Sequence, residues 1–162
     1  MSVLTITQMQ KAAAGIITPE MTQVASSEYR QPEEIRQHVA AGTVVIPRNI
    51  HHSNLVPMGI GRLLRTKVNA NIGNSALSSC PEKELEKLKN ALKYGADTVM
   101  DLSTGENIPL IRKQIIEHSP APIGTVPIYE ALARAGKAED LNEELILRVI
   151  REQAEQGVDY MT

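Results

Sequence analysis

The 162 residues are 42% hydrophobic and 22% charged, with 10 Gly, 9 Pro and a formal charge of −2. That is enough apolar chain for one buried core, and it is the composition of neither a disordered chain nor a collagen. No run of 18 apolar residues marks a membrane span, and the balanced charge lacks the Lys and Arg excess that binds nucleic acid through counterion release. A small molecule or another protein is the expected partner, not nucleic acid or membrane.

A lone cysteine, Cys80, has no second thiol for an internal disulfide, and the first residues lack the positive segment and apolar core of a secretory signal. Together they predict a cytoplasmic protein. With no Trp, no Phe and only four Tyr, the core must be built from Ile, Leu, Val, Met and Ala. That suits strands covered by helices better than an aromatic platform for bases.

In chain order, the first clear element is a short helix from Pro32 to Ala41, closed by Gly42. A strand over residues 43–47 and a long turn-rich loop over 48–61 follow. Residues 1–65 read as an N-terminal α+β extension packing on the rest. From residue 66 the pattern alternates. A strand over 66–73 comes first, then a helix that Pro81 opens after Cys80, with Leu85, Leu88 and Leu92 on one stripe, solvated Glu84–Lys87 and Glu86–Lys89 pairs, and Gly95 as its stop. A buried strand over 96–103 precedes a helix with Ile108, Ile111 and Ile115 in line, ending near His118. Residues 122–127 form the next strand, with pairing expected to stop near Val126 because Pro127 has no N–H to give. A helix from Tyr129 to Ala135 follows, and Asn142 caps a longer one with Ile146, Val149, Ile150 and Gln153 along one line. After the Gly157 stop, the last residues begin a fourth strand.

Strands alternating with helices in this way imply parallel strands joined by crossover helices. Such a sheet must be covered on both faces or closed into a barrel, and this sequence stops on a strand. It therefore reads as an incomplete chain, an open four-strand sheet being the alternative.

Ligands of parallel α/β proteins bind outside the carboxyl ends of the strands. There the sequence places Asn69 and Asn71 on one face of the first strand, and Asn71, Met100 and Tyr129 at 29-residue intervals. Two Asn in a strand either satisfy neighbouring backbone or meet a ligand. Met100 is core filler by default, while Tyr129 either bonds a ligand or caps the helix after it. Asp101 and Ser103 approach the same mouth. Asp97 and Asp159, in the related GAD and GVD triplets, lie at the other end and read as turn ties. His51 and His52 are adjacent, so they make a poor metal pair and read as structural. Gly59-Ile60-Gly61-Arg62 is a weak phosphate-loop candidate, because no strand and helix flank it as such a loop requires. Cys80 has no nearby His to make it a nucleophile.

Five ordered blocks carry more than pattern: IPRNIHHSNL (46–55), KVNANIGNS (67–75), YGADTVMDLSTG (94–105), PIGTVPIY (122–129) and QGVDYMT (156–162). They resemble the N-terminal part of the phosphomethylpyrimidine synthase family, from about Thr7 to the last residue. The resemblance implies an N-terminal region followed by a (β/α)8 barrel, of which this chain holds the first three to four βα units. It also implies a lyase-type radical reaction of thiamine biosynthesis, converting 5-aminoimidazole ribonucleotide to hydroxymethylpyrimidine phosphate. The family uses S-adenosylmethionine and a [4Fe-4S] cluster, holds a metal described as zinc, and forms homodimers. Motif matching puts substrate contacts on Asn71, Met100 and Tyr129. The cluster cysteines and metal ligands fall beyond Thr162, Cys80 is not one of them, and these 162 residues alone are expected to be inactive. The related 5-hydroxybenzimidazole synthase, which starts from the same ribonucleotide, is the near alternative. A non-catalytic ribonucleotide-binding half barrel is the other, though its exposed edge strand would invite aggregation.

Overall fold

The computed structural model describes residues 6–75 and 80–162. The chain divides into two compact units, Met1–Pro47 with Pro57–Thr66, and Arg48–Val56 with Lys67–Thr162. No helix among the described residues is long and apolar enough to cross a membrane.

The first unit holds α1 (Gln8–Ala13), α2 (Pro19–Ser27), α3 (Pro32–Ala40) and an antiparallel ribbon of β1 (Val44–Val45) and β2 (Ile60–Gly61). The first two helices start on local signals that the hydrophobic pattern alone did not reveal. Thr7 and Gln10 form a reciprocal capping box, and the Thr18 hydroxyl accepts from the Met21 N–H, with Pro19 in the first turn. Ala12, Met21, Val24, Ala25, Ile35, Val39, Val44 and Ile46 make one small core. The glycines weighed as a phosphate loop belong to this packing instead. A Cβ on Gly59 would meet the Leu64 and Val24 side chains at 2.6 and 2.7 Å, and the Arg62 N–H donates to the Thr43 carbonyl. Gly59 thus makes room for core side chains, and Gly61 for the neighbouring strand's backbone, where an added Cβ would lie 2.8 Å from the Val44 Cα.

The second unit alternates β3 (Asn69–Ile72), α4 (Pro81–Lys93), β4 (Thr98–Asp101), α5 (Ile108–His118), β5 (Ile123–Thr125), α6 (Pro127–Ala135), a 3-10 turn (Ala138–Asp140), α7 (Glu143–Gln156) and β6 (Tyr160–Met161). The strands pair in the order β3-β4-β5-β6, all parallel, as the alternation implies. One boundary differs in kind. Pro127 opens α6 rather than merely ending β5, because its fixed φ and missing N–H suit a first helical turn. Tyr129 thereby lies in a helix, past the strand end.

Because each strand pairs with the next in sequence, every crossover steps the same way, and right-handed crossovers then put the helices on one face. Ile72, Val99 and Ile123 of the strands pack there against Leu88 of α4 and Ile111, Ile115 and Ile116 of α5. Each such buried side chain contributes about 1.5–3 kcal/mol of hydrophobic free energy.

The same face holds polar groups, of which the helical pattern marked only Gln153, on the line of Ile146, Val149 and Ile150, as internal. Arg112 donates to Glu130 Oε2 and Gln156 Oε1, both at 2.7 Å, Gln153 donates to Glu130 Oε2 at 2.8 Å, and Gln153 Oε1 accepts from the Thr125 hydroxyl at 2.6 Å. Arg112, Glu130 and Gln153 are each 1 to 2% exposed. Burial raises the pKa of Glu130, but the donors from Arg112, Gln153 and Arg134 outweigh it and hold the carboxyl below its ordinary range. Glu84, expected on a solvated face, is buried as well. It accepts from the Gly73 N–H at 3.1 Å and from Lys87 at 2.6 Å, while Lys87 also donates to the Gly73 carbonyl at 3.0 Å. The pair ties α4 to the end of β3.

The segment Arg48–Val56, read from sequence as part of a long loop of the extension, belongs to this second unit. Its anchor is His52, 1% exposed, with Nδ1 2.7 Å from Asp159 Oδ2 and Nε2 2.8 Å from the Ser119 carbonyl. Both ring nitrogens face acceptors, so the doubly protonated ring fits best. Burial opposes that charge, but the Asp159 and Ser119 bonds outweigh it and raise the His52 pKa.

Candidate functional site

The sheet's two faces follow from the two-residue period of a strand. With Ile72, Val99 and Ile123 turned to the helices, the opposite face carries Asn69 and Asn71 of β3, Thr98 and Met100 of β4, Gly124 of β5 and Tyr160 of β6. The register aligns Asn69 with Thr98, and it sets Asn71, Met100, Gly124 and Tyr160 side by side across all four strands. Asn71 and Met100 are therefore true neighbours, and the 29-residue interval between them is a strand register. The second interval is not, since the partner of Met100 in β5 is Gly124. Tyr129 sits in the first turn of α6, 43% exposed, just beyond the carboxyl end of β5. Asn71 is exposed and Met100 half-buried.

Tyr160 of β6 reaches across this face, its hydroxyl 3.1 Å from Asn69 Oδ1 of β3. Its ring passes directly over Gly124, where an added Cβ would come within 2.3 Å of the ring atoms. Glycine at that position is what lets the tyrosine lie across the sheet. The Thr98 hydroxyl also reaches Asn69 Oδ1, at 2.9 Å, and Asn69 Nδ2 donates to Asn71 Oδ1 at 2.8 Å. Burial raises the Tyr160 pKa, so this hydroxyl stays protonated at neutral pH. Tyr160, Thr98 and Gly124 were not singled out in the sequence. The available signal was the 29-residue offset between Asn69 and Thr98, which mirrors that between Asn71 and Met100.

Asp101 and Ser103 stay out of this face. Asp101 points toward the helices and is 4% exposed; Oδ1 accepts the Ser103 N–H at 3.0 Å and its hydroxyl at 2.5 Å, and the Ser103 Oγ accepts from the Asn74 N–H at 3.1 Å. Burial raises the Asp101 pKa, and the Ser103 bonds only partly offset it. These groups join the loops after β3 and β4, and a β-carbon on Gly73, at φ 148°, would sit 2.7 Å from the Leu102–Ser103 peptide. At the amino end, Asp97 and Asp159 do tie strands, and in the same way. Asp97 brackets Val68, its N–H donating to the carbonyl and its carboxylate accepting from the N–H, both at 2.8 Å. Asp159 brackets Ile123 at 2.9 and 2.8 Å. His51 is exposed, with its N–H held by Asn49 Oδ1.

Nothing described here suits an iron–sulfur cluster or zinc. Clusters need several cysteine thiolates, whereas the one cysteine, Cys80, lies 2.8 Å from Glu82 Oε2 through its sulfur. Among the described residues, no three His, Cys, Asp or Glu side chains gather as metal ligands would.

A parallel α/β sheet with helices on one face and a polar face on the other is an α/β scaffold of the kind whose ligands bind at the strand ends. Residues 7–162 match the model of the radical SAM ThiC family. The chain belongs to that family. It is 58% identical over 156 residues to a phosphomethylpyrimidine synthase of Natronomonas pharaonis and 57% identical over 157 residues to that of Haloarcula marismortui, matches covering 96% and 97% of this chain. A phosphomethylpyrimidine synthase of Halobacterium salinarum is 55% identical over 156 residues. The chain spans about a third of the length of these relatives, 33% in each case.

Proposed function

We propose that this chain supplies the opening strands and part of the substrate pocket of a phosphomethylpyrimidine synthase, which converts 5-aminoimidazole ribonucleotide to hydroxymethylpyrimidine phosphate in thiamine biosynthesis. The observation that carries this reading is the polar row at the carboxyl ends of sequentially paired parallel strands, in a chain that matches the family over residues 7–162. An all-parallel sheet with one bare face is satisfied by closure into a barrel, whose inner wall that face becomes. Residues 1–65 then form the N-terminal extension, and residues 66–162 the first three to four βα units of a (β/α)8 barrel. The proposal extends to a cytoplasmic homodimer in the full-length protein.

On this reading Asn71 hydrogen-bonds the ribonucleotide, the Met100 thioether packs on the flat imidazole ring, and the Tyr129 hydroxyl binds ribose or phosphate oxygen. The reaction depends on S-adenosylmethionine, an iron–sulfur cluster and a metal such as zinc, for which the residues described offer no ligands. The roles of this chain are therefore binding and orientation. Calorimetric titration with 5-aminoimidazole ribonucleotide tests the assignment. Asn71→Ala and Tyr129→Phe are each expected to weaken binding about tenfold, the scale of one lost hydrogen bond to a ligand. Unchanged affinity in both variants would overturn the site.

A further inference from the structure

We infer that Asn69, held by Tyr160 and Thr98, is a positioning residue that fixes the carboxamide of Asn71 with its NH2 group turned toward the ligand. The inference rests on the proposed substrate role of Asn71 and specifies which end of that side chain does the binding.

An asparagine carboxamide has a donor end and an acceptor end of nearly equal size, so an exposed one can present either to a ligand. Here the choice is made by neighbours. Two hydroxyls converge on Asn69 Oδ1, from Thr98 on the adjacent strand at 2.9 Å and from Tyr160 three strands away at 3.1 Å. With its oxygen engaged twice, Asn69 directs Nδ2 along its own strand to Asn71 Oδ1, at 2.8 Å. That bond occupies the acceptor end of Asn71. Its Nδ2 has no hydrogen-bond partner among the described residues and remains as the donor. Asn71 is thereby matched to an acceptor on the ligand, such as an unprotonated ring nitrogen or a ribose or phosphate oxygen, and mismatched to a donor.

Two features give the relay its rigidity. Thr98 is 4% exposed, which fixes its hydroxyl, and the Tyr160 ring is seated over Gly124 with no room for a β-carbon beneath it. Tyr160 comes from the last strand and Asn69 from the first, so the relay spans all four strands.

The test uses the protein as its gene encodes it, titrated with 5-aminoimidazole ribonucleotide. Asn69→Asp keeps the shape and the acceptor for both hydroxyls but replaces the donor to Asn71 with a carboxylate oxygen. Asn71 must then rotate to donate to Asp, presenting its oxygen outward. Binding is expected to weaken about tenfold in Asn69→Asp and about tenfold in Asn71→Ala, and the double variant is expected to be no weaker than Asn71→Ala alone. Tyr160→Phe, which keeps the ring and removes the hydroxyl, is expected to weaken binding about threefold and to shift the side-chain NH2 resonances of Asn71 in 15N spectra. These spectra also report whether each variant is folded. If Asn71→Ala weakens binding while Asn69→Asp and Tyr160→Phe do not, or if the Asn69 and Asn71 effects simply multiply, the relay is wrong and the substrate site stands. If Asn71→Ala leaves binding unchanged, the substrate role of Asn71 is wrong and the relay falls with it.

Discussion

The two faces of the four-strand sheet are built from alternate residues of the same short strands and differ in nearly every physical respect. Toward the helices, Ile72, Val99 and Ile123 are 8, 0 and 0% exposed, and the buried polar groups Arg112, Glu130, Gln153 and Thr125 are bonded to one another. Toward the open side, Asn69 and Asn71 are exposed and Met100 half-buried, and their bonds converge on one carboxamide rather than sealing a core. A single-residue register slip would exchange the two sets. On the proposed reading, stability and recognition fall to opposite faces, so substitutions on each should move different observables.

The covered face gives the largest expected effect. Glu130→Ala removes the carboxylate that hydrogen-bonds the buried Arg112, and is expected to cost about 3–5 kcal/mol in urea unfolding, the range for a buried pair that has lost one partner. A loss near zero would mean that this face is not the stabilising one. Ile115→Ala, fully buried in the centre of α5, is expected to cost about 2–4 kcal/mol by cavity formation and lost transfer energy.

The amino end should show itself through pH. The folded pKa of His52 is raised above its unfolded value near 6.5. Its contribution to stability is therefore complete below that value and disappears as pH rises through the folded pKa. Urea midpoints measured from pH 6 upward are expected to fall for the wild type, and the part of that slope due to His52 to vanish in His52→Gln. Glu130 has the opposite sign. Its pKa is lowered, so its contribution is present above the ordinary carboxylate range and is lost as pH falls through the folded value.

The open face gives the smallest stability effect. Asn71→Ala is expected to change unfolding free energy by less than about 0.5 kcal/mol, as for an exposed side chain, while weakening ribonucleotide binding. A large stability loss there would break the division between the faces.

How much of this was legible in the sequence follows the same division. Helical spacing of Leu85, Leu88 and Leu92, or of Ile108, Ile111 and Ile115, and the Asn142 cap and Gly157 stop are local signals, and the elements they mark are present. Glu84, Arg112 and Glu130 gave no sign of burial, because a charged residue on a helix stripe reads as solvated unless its partner, 18 residues away for Arg112 and Glu130, is known. His52 and Asp159, 107 residues apart, are further still beyond reach of local pattern. The Asn69 and Asn71 pair was visible as an oddity, two asparagines in a strand, and the pairing with Thr98 and Met100 was written in the 29-residue offset. Tyr160 was not legible, since its partner Asn69 lies 91 residues away, reached across Gly124.

The most direct test of the claim that the open carboxyl face is the recognition surface is a 15N and methyl NMR titration with 5-aminoimidazole ribonucleotide. The account predicts saturable shifts concentrated on Asn69, Asn71, Met100 and Tyr129, with His52 and Asn49 at the amino end unmoved. Shifts confined to the amino end, or none at ligand saturation of a phosphate control such as ribose 5-phosphate and of the ribonucleotide alike, would contradict it.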